Sequence, residues 1–459
     1  MNKFNGAYIF GISMISAMGG LLFGYDWVVI GGAKPFYERF FEISNHANLQ
    51  AWAMSCALVG CIVGAVMSGV VSDKFGRKWP LLVSAFLFMI ASLGTGYAAS
   101  YLEFVLYRII GGVGVGLASA LSPMYIAEIA PSHLRGRLVS LNQMTIVIGI
   151  LAAQVINLII ADKVPVEASD DFIQASWNGQ VGWRWMFYAC AVPAGAFFLL
   201  TFLLPESPRW LMSVGKSDKA YPTLKRIGGD EYAKEEMANI KAALNDVSEK
   251  VDFKALCHPK YRAVLLVGVV LAVFQQWCGI NTVFNYAEEI FTAAGYGVSD
   301  TLFNIVITGS VNLIFTLVAM FTVDNWGRKK LMVLGSIGLA INYILLGAAF
   351  YLGIKGVAVL SLVVSAIAIY SMSLAPIVWV ILSEIFPNRV RGAAMALATL
   401  GLWIACFILT YTFPLLNKSV GAAGTFWVYA GICLFGFVFI LMKLPETKGK
   451  SLEEIEKMF

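Results

Sequence analysis

Charge is what this sequence has least of. Only 13% of its 459 residues are Asp, Glu, Lys or Arg, against about 25% in an ordinary soluble domain. That shortage excludes a water-soluble multidomain enzyme. Histidine is almost absent: His46, His133 and His258 are the only three, all in loops, and no His/Cys/carboxylate cluster or nucleophile elbow is present. The expectation is a protein with no metal, no cofactor and no enzymatic activity. The seven cysteines are odd in number, sit mostly in apolar runs and show no CxxC spacing, which excludes a disulfide framework and a zinc site. Net charge is only +5, with no basic stripe interleaved with aromatics, so nucleic acid is excluded as a partner.

What the chain has in abundance is apolar sequence, 59% of its residues. Runs long enough to cross a bilayer fall at about 7–31, 48–72, 79–97, 102–126, 138–161 and 184–204, then at about 261–287, 300–323, 331–351, 356–383, 392–416 and 424–443. The first run carries Asp26 and no small-residue cleavage signature, and reads as a span rather than a removable signal peptide. The fold class is therefore an all-α polytopic membrane protein of twelve transmembrane helices in two six-helix halves, 1–205 and 261–443. Residues 206–260 are charge-rich, with helical mixed polarity at Asp218 to Ile227 and Glu231 to Leu244, and read as linker helices; 444–459 form a tail.

Basic residues are retained on the cytoplasmic side during insertion. Of the 33 Lys and Arg, 26 fall on the side of the termini and linker and six on the other, with Arg108 alone inside a span. Both termini and the linker are expected in the cytoplasm. The loops of that side also repeat. Asp73-Lys-Phe-Gly76-Arg77-Lys78 returns as Asp324-Asn-Trp-Gly327-Arg328-Lys329, and Glu128-Ile-Ala-Pro-Ser-His-Leu-Arg135-Gly136 as Glu384-Ile-Phe-Pro-Asn-Arg-Val-Arg391-Gly392. Pro205-Glu206-Ser207-Pro208-Arg209 is echoed more loosely by Pro445-Glu446-Thr447-Lys448. Two halves of one orientation are the architecture of carriers built from parallel repeats.

Those signatures, with Gly24-Tyr25-Asp26 in span 1, Gln275-Gln276-x-x-Gly279-Ile280-Asn281 in span 7 and Pro376-x-x-Trp379 in span 10, resemble the sugar porter family of the major facilitator superfamily. The stretch from Tyr107 to Gln143 looks especially like bacterial D-xylose/proton symporters. The resemblance implies the major facilitator fold, alternating access around a central sugar site, and a monomer in a bilayer whose partners are a small sugar and protons. The absence of glycosylation-type outer loops and the short N-terminus favour a bacterial inner membrane.

Ionisable groups within a span are functional candidates by default. Asp26 and Arg108 lie at similar depths from the outer edge and can meet. A carboxylate beside a guanidinium stays ionised, and loss of that partner raises its pKa toward protonation. The resemblance implies that Asp26 accepts the proton with Arg108 as partner; a permanent ion pair in a uniporter is the other reading. A sugar needs donors, acceptors and an aromatic face. Gln143, Gln275, Gln276, Asn281 and Trp379 supply these and match the family's contacts, and Trp403 adds a candidate wall, although amides in spans also bond helix to helix. Asp73, Arg77, Glu128, Arg135, Glu206, Arg209, Asp324, Arg328, Glu384 and Arg391 occupy equivalent cytoplasmic loops, where the resemblance implies a state-dependent lock of pairs across the halves. The chain departs from the family at Leu402, where an amide is usual, and at Ile150, Cys190, Asn285 and Ala375. A facilitative uniporter and a transport-dead sugar receptor remain as rivals to a proton-coupled importer of a pentose such as D-xylose or a hexose.

Overall fold

The structure is a computed structural model and describes residues 4–165, 168–246, 258–387 and 390–448, without the side chains of 243–246, 259–260, 323–325, 383 and 391–392. Asp324 and Arg391 thus lie outside the described side chains.

With no water in the bilayer core to satisfy backbone N–H and C=O groups, apolar runs of this length become helices. The first part of the chain forms α1 (Gly6–Phe40), α2 (Ala47–Phe75), α3 (Lys78–Tyr97), α4 (Tyr101–Ile129), α5 (Ser132–Ile160), the short α6 (Asp170–Ala175) and α7 (Trp183–Thr201). Then come α8 (Pro208–Ser213) and α9 (Ser217–Asp246), the latter broken at Gly229, whose φ is 84°. Leu224, Ala233 and Ile240 give this stretch a small core of its own against Met212, Tyr221, Tyr232 and Met237.

The remainder forms α10 (Pro259–Trp277), α11 (Ile280–Asn285), α12 (Ala287–Ala293), α13 (Val298–Trp326), α14 (Arg328–Tyr351), α15 (Val357–Met372), α16 (Leu374–Ile385) and α17 (Arg391–Lys443). Eleven helical stretches are long and apolar enough to cross a membrane. The last runs over 51 residues and contains Gly421 at φ 72°, ψ 174°, so it holds two spans and brings the number to the expected twelve. Two others are broken. Span 7 stops at Gly279 (φ 87°) between α10 and α11, and span 10 stops at Ser373 (φ −123°, ψ −84°) between α15 and α16.

Span 1 departs from the expectation at its far end. The run was expected to end near residue 31, but α1 continues through Pro35 to Phe40. Proline in a helix interior removes one bond and crowds the carbonyl four residues back. That residue is Gly31, which offers no side chain to add to the crowding, and the Pro35 carbonyl accepts from Arg39 Nη1 at 2.5 Å.

Backbone contacts group the chain into two compact units. One comprises Met1–Asp26, Val59–Ile150 and Phe187–Lys250; the other comprises Trp27–Leu58, Leu151–Met186 and Val251–Phe459. The second unit therefore includes the end of α1 beyond Asp26 along with every helix from α10 onward. This partition by packing is a different one from the sequence division at 205 and 261.

Within the first unit, glycines set how closely the helices approach, as small residues do in membranes. A Cβ on Gly24 would lie 1.9 Å from the Ile146 carbonyl oxygen, and one on Gly149 would lie 2.1 Å from the Leu21 carbonyl oxygen, so α1 and α5 touch backbone to backbone. That contact fixes the rotation of α1 and the direction in which Asp26 points.

Candidate functional site

Asp26 and Arg108 meet. Arg108 Nη1 donates to Asp26 Oδ1 at 2.6 Å, and the two side chains are 11% and 4% exposed. Nη2 reaches the Asp26 backbone carbonyl at 3.4 Å, and the guanidinium stands over the Phe187 ring at 5.7 Å. Cys190, buried one turn further along α7, lies within electrostatic reach of both charges. A carboxylate held by one guanidinium and shielded from water is a group whose charge depends on whether that partner stays.

The amides of span 7 gather at its break. Gln275 is buried, and its Nε2 donates to the carbonyls of Leu374 at 3.2 Å and Ala375 at 3.0 Å, beside the break in span 10. Among the described residues nothing donates to Gln275 Oε1, an open acceptor in a buried place. Asn281 Nδ2 donates to Gln276 Oε1, tying the two sides of the Gly279 corner together, and contacts Cys406 Sγ at 3.7 Å. Trp277 Nε1 donates to the Ala405 carbonyl at 3.0 Å. Trp379 on α16 is 38% exposed, whereas Trp403 is buried with its ring tilted against Trp27 at 6.3 Å. Leu402 is buried beside Trp403. Gln143 is half-buried on α5 and belongs to the first compact unit; the other five sugar candidates belong to the second. Discontinuous transmembrane helices are tolerated only where protein or a polar cavity meets the freed backbone groups, and they recur at transporter binding sites.

The cytoplasmic loops form two like arrangements. Arg77 grips Glu128 through Nε at 2.9 Å and Nη2 at 2.8 Å, with Asp73 at 3.7 Å. Glu206 accepts from the Arg77 N–H at 2.8 Å and the Lys78 N–H at 3.2 Å, at the start of α3. In the second copy Arg328 reaches Glu384 at 3.1 Å, and Glu446 accepts from the Arg328 N–H at 2.9 Å and the Lys329 N–H at 3.1 Å, at the start of α14. Arg135 and Arg209 are exposed. Pairs across the halves were expected; these pairs run within each half instead, because the repeated Gly-Arg-Lys turn delivers its arginine to the acidic residue of its own repeat.

Residues 12–459 match the sequence profile of the Sugar (and other) transporter family. The chain belongs to that family. It is 40% identical to the D-xylose-proton symporter of Escherichia coli K12, across 100% of this chain and 97% of that one. It is 39% identical to the arabinose-proton symporter of Bacillus subtilis, across 98% and 94%. Its fold superposes on the inward-open conformation of the xylose transporter XylE from E. coli with a TM-score of 0.85 at 38% identity, covering 98% of this chain and all of that structure. This member of the sugar transporter family is thus a multi-pass membrane protein and a transporter, not an enzyme.

Sequence reasoning missed one group. Lys34 reads as an outer-loop cation, yet its side chain is only 2% exposed and sits among Glu38, Glu288 and Glu289. The available signal was an apolar stretch on both sides of it, Val28 to Ala33 and Phe36-Tyr37.

Proposed function

We propose that the chain is a proton-coupled importer of a monosaccharide, a pentose or a hexose, working by alternating access between the halves 1–205 and 261–443. It acts as a monomer in a bacterial inner membrane, with its termini, the 206–260 linker and the 444–459 tail in the cytoplasm. The observation that carries the reading is the buried Asp26–Arg108 pair at 2.6 Å. While Arg108 stays, Asp26 remains ionised; when the helices shift and water enters, the carboxylate takes a proton from outside and gives it up to the other side. The names of the xylose and arabinose relatives support both the cargo class and the coupling.

In this reading Gln143, Gln275, Gln276 and Asn281 bond the sugar hydroxyls, and the open Gln275 Oε1 is a ready acceptor for one of them. Trp379 and Trp403 offer ring faces to the C–H surface. Leu402 presents an apolar wall, so the cargo places no unpartnered hydroxyl there. The paired cytoplasmic charges stiffen each half's inner rim and form the inner lock.

A facilitative uniporter is the second reading, favoured by Cys190: a thiol stands beside the pair where the xylose symporters resembled have an acidic residue. One experiment separates the two. Radiolabelled D-xylose, L-arabinose and D-glucose are offered to reconstituted vesicles with and without an inward proton gradient, for wild type and Asp26→Asn. Proton coupling gives gradient-driven accumulation that Asp26→Asn abolishes while sugar exchange survives. Accumulation by Asp26→Asn at wild-type levels overturns the assignment, and wild type that equilibrates without accumulating is a uniporter.

A further inference from the structure

Lys34 stands eight residues beyond Asp26, at the end of α1 away from the N-terminus. Its ammonium has three N–H donors, and three carboxylates surround it. Glu38 Oε1 lies at 3.0 Å on the same helix, and Glu289 Oε1 at 2.6 Å and Glu288 Oε2 at 3.5 Å on α12. Glu38 is backed by Gln50 Nε2 of α2 at 3.0 Å, an amide that also donates to the Ser44 carbonyl. Two tyrosines complete the surround. The Tyr286 ring lies 6.0 Å from the ammonium and its hydroxyl donates to the Thr410 carbonyl, while the buried Tyr37 hydroxyl reaches Met54 Sδ at 3.2 Å. Beneath the cluster the backbones close up: a Cβ on Gly31 would lie 3.2 Å from the Phe284 carbonyl oxygen and 3.3 Å from that of Asn285.

One cation facing three anions in a nearly dry place is a poor device for stability, because desolvation consumes most of the Coulomb energy gained. It is a good device for switching. Closed, the charges satisfy one another; parted, water satisfies them instead, so the two arrangements lie close in free energy while intermediate, half-wet ones do not. A carrier that visits two states needs such a balance.

We propose that Lys34, Glu38, Glu288 and Glu289 form an outer latch, which clasps α12 to α1 while the carrier is closed to the outside and parts when it opens. The proposal rests on the alternating-access reading above. Lys34 is the hub, Glu288 and Glu289 are the catch, and Glu38 with Gln50 keeps the ammonium aimed.

The test reads accessibility and not transport, so it fails or succeeds apart from proton coupling. Ala287→Cys places a thiol at the buried first position of α12. Intact cells carrying that variant are treated with a membrane-impermeant maleimide. Adding Lys34→Met, or Glu288→Gln with Glu289→Gln, should speed labelling of the introduced thiol at least fivefold. Glu38→Gln, which leaves the contacts to α12, should change it less than twofold. The buried native thiols Cys61 and Cys433 should stay unlabelled throughout. If Lys34→Met fails to insert, the neutral and nearly isosteric glutamine pair decides the matter. Labelling within twofold of the Ala287→Cys parent in the glutamine pair overturns the latch, and so does labelling that spreads to Cys61 and Cys433, which would mean general loosening.

Discussion

The two cytoplasmic arrangements are copies in sequence and nearly copies in space. Gly76 and Gly327 both turn with φ 87°, and in each copy the lysine after the arginine ties back to a late carbonyl, Lys78 to Phe202 at 2.8 Å and Lys329 to Leu441 at 3.0 Å. They differ at the ion pair. Arg77 engages both oxygens of Glu128, and the two side chains are 12% and 10% exposed. Arg328 engages one oxygen of Glu384, the exposures are 15% and 22%, and Glu384 Oε2 takes the Thr447 hydroxyl at 2.6 Å instead. A short motif thus specifies a turn and a helix start faithfully, while its strength as a clasp is set by whatever else the acidic partner can bond.

Three measurements of thermal stability in detergent bear on that difference. Arg77→Ala has the largest expected effect, about 3 kcal/mol, because Glu128 is left as a buried and unpaired charge. Arg328→Ala should cost roughly half as much, since the more exposed Glu384 keeps its threonine; equal losses would remove the distinction. Next comes the glycine pair. Alanine at either position meets a left-handed backbone, at about 1–2 kcal/mol. Gly76→Ala should lose more than Gly327→Ala, since its Cβ would lie 2.3 Å from Glu206 Oε2 against 2.8 Å from Glu446 Oε2. The reverse order would mean that Glu206 yields more easily than its three backbone donors suggest. Smallest is Thr447→Val, at about 1 kcal/mol for one hydrogen bond to a charged oxygen. In that background Arg328→Ala should cost about as much as Arg77→Ala does alone, and a cost unchanged by the background would show that Thr447 is not what spares Glu384.

The spans, the repeat and the Asp26–Arg108 pair were legible because each is a local or periodic property of the chain. Apolar length announces a helix, a charge inside one announces a function, and two charges at matching depth announce a pair. The latch was hidden for two reasons. Pro35 directly follows Lys34, and a proline ordinarily marks a helix end, so the cation reads as a loop residue. Its partners Glu288 and Glu289 stand more than 250 positions away, where no periodicity reaches. The breaks in spans 7 and 10 were half legible: Gly279 and Pro376 are visible breakers, but the bond from Gln275 that bridges them belongs to tertiary structure. The expected lock across the halves read the repeat as an interface, whereas the repeat encodes each half's internal wiring.

Gly421 has a consequence for how the protein is made. A straight helix of 53 residues would extend about 80 Å, more than twice the ~30 Å of hydrocarbon it must cross. One residue folds it into a hairpin, in a backbone region that is essentially glycine's alone. With no loop between them, the last two spans cannot wait for one another in the translocon. They leave it as a single helical hairpin, so the final step of biogenesis is committed when the corner at 421 forms, before the last span has been fully synthesised.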